Sequence, residues 1–281
     1  MNRRKFVQTT GAGIAGATLA VSGFSGWSSA AMPRATNLKK AVKFGMVQED
    51  LSILKKFSLL KKLGFDGVEM DSPTDLDIDE IVEASKQSGL PIHGVVDSVH
   101  WNKPLSSADA AVRKEGLEGL ETALKDARAF GASTVLLVPA VVNKETSYDD
   151  AYRRSQEEIR KALPLANDLG IKIAFENVWN KFLLSPMEAA RYVDEFESEM
   201  VGWYMDIGNI VTFSWPEQWI RILGPRILKL DIKEYSRSKR DKEGPYAGFR
   251  VELGEGDCNW PEVLNALDDI GYQGWATAEI P

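Results

Sequence analysis

Four short apolar runs in the second half of the chain each close on an acidic residue. Ile173-Ala174-Phe175 leads into Glu176, and Trp203-Tyr204-Met205 into Asp206. Leu228-Lys229-Leu230 leads into Asp231, and Thr277-Ala278 into Glu279. If each run is a strand, four strands deliver one carboxylate apiece to the same end of a sheet. Four such groups in one mouth repel one another, and some must stay protonated unless a cation joins them. An all-oxygen donor set of this kind suits a hard divalent cation in roughly octahedral geometry. Mn²⁺ is the first choice, with Mg²⁺ or Co²⁺ as alternatives to tetrahedral zinc. The residue types therefore point to metal-assisted chemistry.

The elements that must hold these acids are legible as an alternation of short apolar runs with longer segments of helical period. The strand candidates are residues 42–47, 67–70, 92–96, 134–138, 171–175, 201–205, 227–232 and 274–278. Between them, Leu117, Leu120, Leu124 and Ala127 share one helix face. Gly64, Gly89, Gly131, Gly170 and Gly271 stand where helices should end in a left-handed cap. Pro216 and Pro261 stand where helices should begin. Strand followed by helix, about eight times over residues 38–281, predicts a (β/α)8 TIM barrel with its chemistry at the C-terminal rim of the strands. A doubly wound open sheet is the rival, but no glycine-rich dinucleotide loop follows the first strand. The chain stops two residues after Glu279, so the eighth outer helix is expected to be lacking, and another element or association between copies would have to cover that wall.

The first 31 residues read differently. Arg3 and Arg4 precede a Gly/Ala-rich apolar run, and Ser29-Ala30-Ala31 offers a small-residue cleavage site. The segment resembles a twin-arginine export signal, which implies a periplasmic or secreted mature protein. Gly11, Gly13 and Gly16 spell a dinucleotide fingerprint, but they fall inside this leader with no strand before them. No other segment approaches the length of a membrane span. The full chain carries a net charge of −7, and cleavage would remove only basic charges. That balance disfavours nucleic acid as a partner. The single cysteine, Cys258, excludes an internal disulfide.

The segments Phe175–Pro186, Met205–Asn209, Lys229–Glu234, Leu253–Asp257 and Gly271–Trp275 with Glu279 resemble the sugar isomerase/epimerase family. That family has xylose-isomerase-like TIM barrels and includes hexulose-phosphate isomerases and ketose 3-epimerases. The resemblance implies metal ligands at Glu176, Asp206, Asp231 and Glu279, with Glu176 and Glu279 also acting as the acid/base pair. The family usually places a histidine where this chain has Asp231, which makes the site harder and more anionic. The reaction implied is isomerisation or epimerisation of a ketose or keto-sugar through an enediolate. An exported protein fits sugar phosphates poorly, which raises the alternative of a lyase or hydratase cleaving 3-keto-glycosides after the same proton removal. A non-catalytic sugar-binding protein is a third class. A nuclease of the related endonuclease type would need more than two histidines.

Other residues are candidates for the substrate pocket. His100 lies beyond the third strand, and Trp179, Asn180 and Lys181 lie in the loop after Glu176. Asn209 and Lys233 follow Asp206 and Asp231, and Lys233 could instead pair with a rim acid. His93 is expected in the barrel core with a backbone partner, and Glu69 is expected to close the second strand near the rim. The basic run Arg237–Lys242 is expected to form a solvated loop tip.

Overall fold

The computed structural model describes residues 37–280. The expected export leader over residues 1–31, with Gly11, Gly13 and Gly16, lies outside the described residues. Eight parallel strands close into a barrel in sequence order. They are β1 (Lys39–Lys43), β2 (Gly67–Ser72), β3 (Ile92–Asp97), β4 (Thr134–Leu137), β5 (Lys172–Glu176), β6 (Val201–Asp206), β7 (Ile227–Ile232) and β8 (Trp275–Ala278). Pairing of Ala41 with Thr277 closes the ring between β1 and β8. The intervening helices are α1 (Ile53–Lys62), α2 (Ile78–Ser88), α3 (Ala110–Phe130), α4 (Tyr148–Leu169) and α5 (Pro186–Asp194). They continue with α6 (Ile207–Val211), α7 (Pro216–Leu223), α8 (Arg237–Glu243) and α9 (Trp260–Asp269). No described helix follows β8. An apolar cleft of about 440 Å³, lined by Val42, Leu60, Leu63 and Ile280 among others, opens on that side. No described helix is long and apolar enough to cross a membrane.

Local chemistry sets the ends of these elements. Asp77, Asp109, Ser147 and Ser185 accept backbone N–H groups in the first turns of α2, α3, α4 and α5. Gly89, Gly131 and Gly170 end α2, α3 and α4 in the left-handed conformation. The apolar core lies between strands and helices, where Leu120, Leu124 and Ala127 of α3 are fully buried.

The first strand departs from its apolar pattern. β1 begins at Lys39, and Phe44–Met46 already turns in a 3-10 helix. Phe44 is buried because its ring packs on Phe57 of α1, 5.7 Å away, and not because it continues the strand. This shift makes Lys43 the last residue of β1, in register with Glu69 on β2.

The barrel interior is unusually polar for a layer that aliphatic side chains commonly fill. Tyr204 Oη donates to Glu69 Oε1 at 3.0 Å and lies 2.9 Å from Thr277 Oγ1. Thr277 Oγ1 in turn lies 3.1 Å from His93 Nε2, and His93 Nδ1 lies 2.9 Å from Lys229 Nζ. Since the lysine can only donate, the bonds run one way, from Lys229 to His93, Thr277, Tyr204 and Glu69. That direction assigns a neutral His93 with its proton on Nε2, and burial indeed holds its pKa well below the ordinary value. His93 is thus a core histidine, but its ring is held by two side chains and not by the backbone partner expected. Glu69 is also corrected: β2 runs on to Ser72, which leaves Glu69 a layer below the rim. Gly94 is required here. A Cβ at that position would lie 2.6 Å from Glu69 Oε1 and 3.0 Å from Lys229 Nζ.

Candidate active site

The C-terminal rim gathers the four acids. Glu176 and Asp206 are the last residues of β5 and β6, Asp231 is the penultimate residue of β7, and Glu279 follows β8 directly. Pairing of Asp206 with Asp231 puts both on the inner face at one level. One oxygen from each of Glu176, Asp206, Asp231 and Glu279 lies within 4.8 Å of all the others. Asp206 and Asp231 are fully buried, and the Glu279 side chain is 32% exposed.

Two lysines stand among them. Lys43 Nζ lies 2.9 Å from Asp231 Oδ2 and 2.6 Å from Glu279 Oε2. Lys233 Nζ lies 3.1 Å from Asp206 Oδ2 and 3.0 Å from Glu279 Oε1. Several of these oxygens nevertheless lack a well-directed hydrogen bond: Asp206 Oδ2, both oxygens of Asp231, and Glu279 Oε2. The lysines meet these oxygens as close ion-pair neighbours.

The electrostatics follow from this crowding. Burial, with Glu279 and Asp206 reinforcing it against Lys43 and Lys233, pushes the Glu176 carboxyl up to about 8. Burial likewise raises Asp206 and raises Asp231 strongly, against the pull of the lysines. At Glu279 burial is outweighed by Lys43 and Lys233, which hold that carboxyl down to about 2. The donor set fits a divalent cation. Octahedral coordination by oxygen at about 2.1 Å requires ligand atoms roughly 3 to 4.3 Å apart, within the span of this cluster. Asp231 Oδ1, buried with neither a hydrogen bond nor an ammonium neighbour among the described residues, is a group such an ion would satisfy.

The loops behind the acids are braced by amides. Asn177 Nδ2 donates to the Asp206 carbonyl at 2.7 Å, while its Oδ1 accepts from Trp203 Nε1 and from the Asp206 amide. Asp206 Oδ1 accepts the Asn209 amide at 2.7 Å. Replacing Asn177 with Ala should therefore strand the buried Trp203 indole and Asp206 backbone groups. The expected cost is about 2–4 kcal/mol, from one to three kcal/mol per unsatisfied buried group, read as a lowered denaturation midpoint.

The remaining candidates divide. Trp179 donates to the Asn209 carbonyl and packs against Tyr235, Tyr246 and Phe249, with centroids 5.0–5.7 Å apart. Phe249 also carries Lys233 over its ring at 5.3 Å, so this aromatic wall borders the acids. His100 is buried, its Nδ1 accepts the Val138 amide at 3.3 Å, and burial lowers its pKa to about 3. A neutral imidazole thus borders the site. Asn180 and Asn209 have their amides committed to structure. Asn180 bonds the Ala140 carbonyl and the Phe182 amide, and Asn209 Nδ2 bonds the Asn177 carbonyl. Lys181 is exposed with a positive φ of 61° and forms no ion pair among the described residues. Asn180 and Asn209 thus shape the loops behind the acids. Lys233 takes the ion-pair alternative.

The basic run forms a short helix, α8 (Arg237–Glu243), and not a loop tip; none of its residues is buried, so it is solvated as expected, while its arginines reach backbone carbonyls. Arg237 reaches the carbonyls of Val211 and Ser214, and Arg240 that of Thr212, around the C-terminal end of α6. Lys43 is the residue that sequence reasoning missed. Its signal was the two-residue alternation that places Ala41 and Lys43 on one face, hidden when the strand is started at Val42.

A family model described as xylose isomerase-like TIM barrel matches residues 57–281. The chain is 26% identical over 267 residues to the L-ribulose-5-phosphate 3-epimerase UlaE of Escherichia coli O1:K1, covering 87% of this chain and 91% of that protein. A D-psicose 3-epimerase crystallised with D-fructose superposes with a TM-score of 0.71 at 24% identity, over 87% and 85% of the two chains. The 3-keto-D-glucoside 4-epimerase YcjR of E. coli superposes with a TM-score of 0.73 at 19% identity, over 87% and 93%. At these identities the two structures speak to the fold.

Proposed function

The chain belongs to the xylose isomerase-like TIM barrel family, and from that premise we propose that it is a metal-dependent sugar epimerase or isomerase acting on a ketose or keto-sugar. The observation that carries the reading is the convergence of Glu176, Asp206, Asp231 and Glu279 from four strands, with one oxygen of each within 4.8 Å of the others. These four residues would hold one divalent cation, Mn²⁺ before Mg²⁺ or Co²⁺. When bound, the cation would polarise a carbonyl and favour the enediolate charge.

The proton work falls to the two glutamates. Glu279, kept ionised by Lys43 and Lys233, takes the proton from the carbon beside the carbonyl. Glu176, the second glutamate of the cluster, returns one to the opposite face or to the neighbouring carbon. One C–H bond breaks and one forms, and the two carboxyls end the turnover with their protonation exchanged. Asn177 and Asn209 keep Asp206 in place, while Trp179, Tyr246 and Phe249 wall one side of the mouth. With the Arg3-Arg4 leader, the proposed setting is the periplasm or beyond, which favours a non-phosphorylated sugar.

A second reading rests on the open aromatic side, where Tyr246 is 73% exposed. Such a surface could seat the aglycone of a 3-keto-glycoside, and loss of the aglycone after proton removal would make the protein a lyase. Incubating the Mn²⁺-loaded protein in D₂O with ketoses and 3-keto-glycosides tests both. The reading expects deuterium beside the carbonyl of at least one substrate, with epimer or free aglycone as product. Failure to exchange across the whole panel would contradict it.

A further inference from the structure

We propose that Lys43 is a positioning residue that makes Asp231 usable as a metal ligand and sets the class of cation the site accepts. The inference rests on the metal-binding reading above and extends it to a residue outside the carboxylate set. It starts from charge. Deprotonated, as ligands of a cation must be, the four carboxylates carry minus four, and no single divalent cation can cancel that. Lys43 and Lys233 are the two lysines that form ion pairs with these acids among the described residues. Together they bring the total to minus two, which one divalent ion cancels.

Geometry separates the tasks of the two lysines. Lys233 bridges Asp206 and Glu279, whereas Lys43 bridges Asp231 and Glu279. Lys43 is the one ion-pair partner of Asp231 among the described residues, neither oxygen of Asp231 accepts a directed hydrogen bond, and the residue is fully buried. Asp206, by contrast, is also anchored by the Asn209 amide. Lys43 therefore supplies the direct ion-pair contact to Asp231. Its ammonium lies against Oδ2 and leaves Oδ1 as the free donor atom. A carboxylate backed in this way is a hard anionic ligand, which favours Mn²⁺ or Mg²⁺ over Zn²⁺. A neutral imidazole in the same place would need no lysine behind it.

A double-mutant cycle on Mn²⁺ binding tests the pairing without reference to turnover. Chelator-stripped wild type, K43M, D231H and K43M/D231H are titrated with Mn²⁺ and separately with Zn²⁺ against a fluorescent indicator chelator. K43M should bind Mn²⁺ ten- to a hundredfold more weakly, in line with the loss of a ligand's supporting partner. D231H alone should also weaken binding, because its imidazole meets the Lys43 charge. The double variant should bind a divalent ion at least tenfold better than D231H, with the Zn²⁺ over Mn²⁺ preference raised above that of wild type. If K43M does not fold, K43Q and K43Q/D231H, which keep a donor toward Glu279, take the same places in the cycle. Wild type binding Mn²⁺ with K43M unchanged, or a double variant no better than D231H, would overturn the role of Lys43 alone. No binding by wild type would remove the metal reading and this inference together.

Discussion

Glu279→Gln should leave the barrel folded and lower turnover by about a thousandfold or more, within the hundred- to ten-thousandfold range of a lost general acid or base. The side chain is partly exposed, and Lys43 and Lys233 each retain a second carboxylate, Asp231 and Asp206. Folding should therefore change little. A glutamine oxygen can still accept from the lysines, but it cannot take up a carbon-bound proton. Steady-state rates on the substrate identified by deuterium exchange, together with melting temperature, measure both parts. A folded Glu279→Gln protein of near-normal activity would remove Glu279 from the acid/base pair. Glu176→Gln should be similarly inactive, since the two groups act in sequence on one substrate.

Stripping the cation should abolish turnover, and Mn²⁺ should restore it. Without a cation, burial pushes Asp206 and Asp231 toward their protonated forms, so the site loses both its electrophile and its charge pattern. The same ion should stabilise the fold, because it binds the assembled mouth and not the unfolded chain. At a hundred times its dissociation constant the gain is about 2.7 kcal/mol. For a chain of this size that corresponds to roughly 5–10 °C in melting temperature. Dialysis against EDTA followed by thermal melts and rate assays with added Mn²⁺, Mg²⁺ or Zn²⁺ gives both readouts. Full activity after exhaustive chelation would contradict the proposed chemistry.

The rim was legible in the sequence for a physical reason. β5, β6 and β7 are buried on both faces, so they appear as continuous apolar runs, and an acid at the end of such a run stands out. Position in the chain then converts to position in space, because strands of one barrel share their ends. What the sequence hid is equally physical. Lys39 and Lys40 make the start of β1 look like loop, so the strand is displaced toward Phe44 and Val47, and Lys43 loses its inward-facing place. Glu69 looked like a strand end because the polar Asp71 and Ser72 follow it, yet the backbone stays extended through both. Asn180 and Asn209 carry the right chemistry for a sugar hydroxyl, but only coordinates reveal that loop carbonyls already occupy their amides. The Arg237–Lys242 run is solvated as its charges suggest, but composition did not show that it forms a helix whose two arginines also satisfy the backbone at the end of α6.

A crystal structure of protein soaked with Mn²⁺, with anomalous data collected at the manganese edge, addresses the central claim most directly. The account predicts one strong peak per chain at the barrel mouth, with oxygens of Glu176, Asp206, Asp231 and Glu279 at about 2.1–2.3 Å. A mouth in which only the Lys43 and Lys233 ammonium groups bridge those carboxylates, with manganese elsewhere or nowhere, would contradict it.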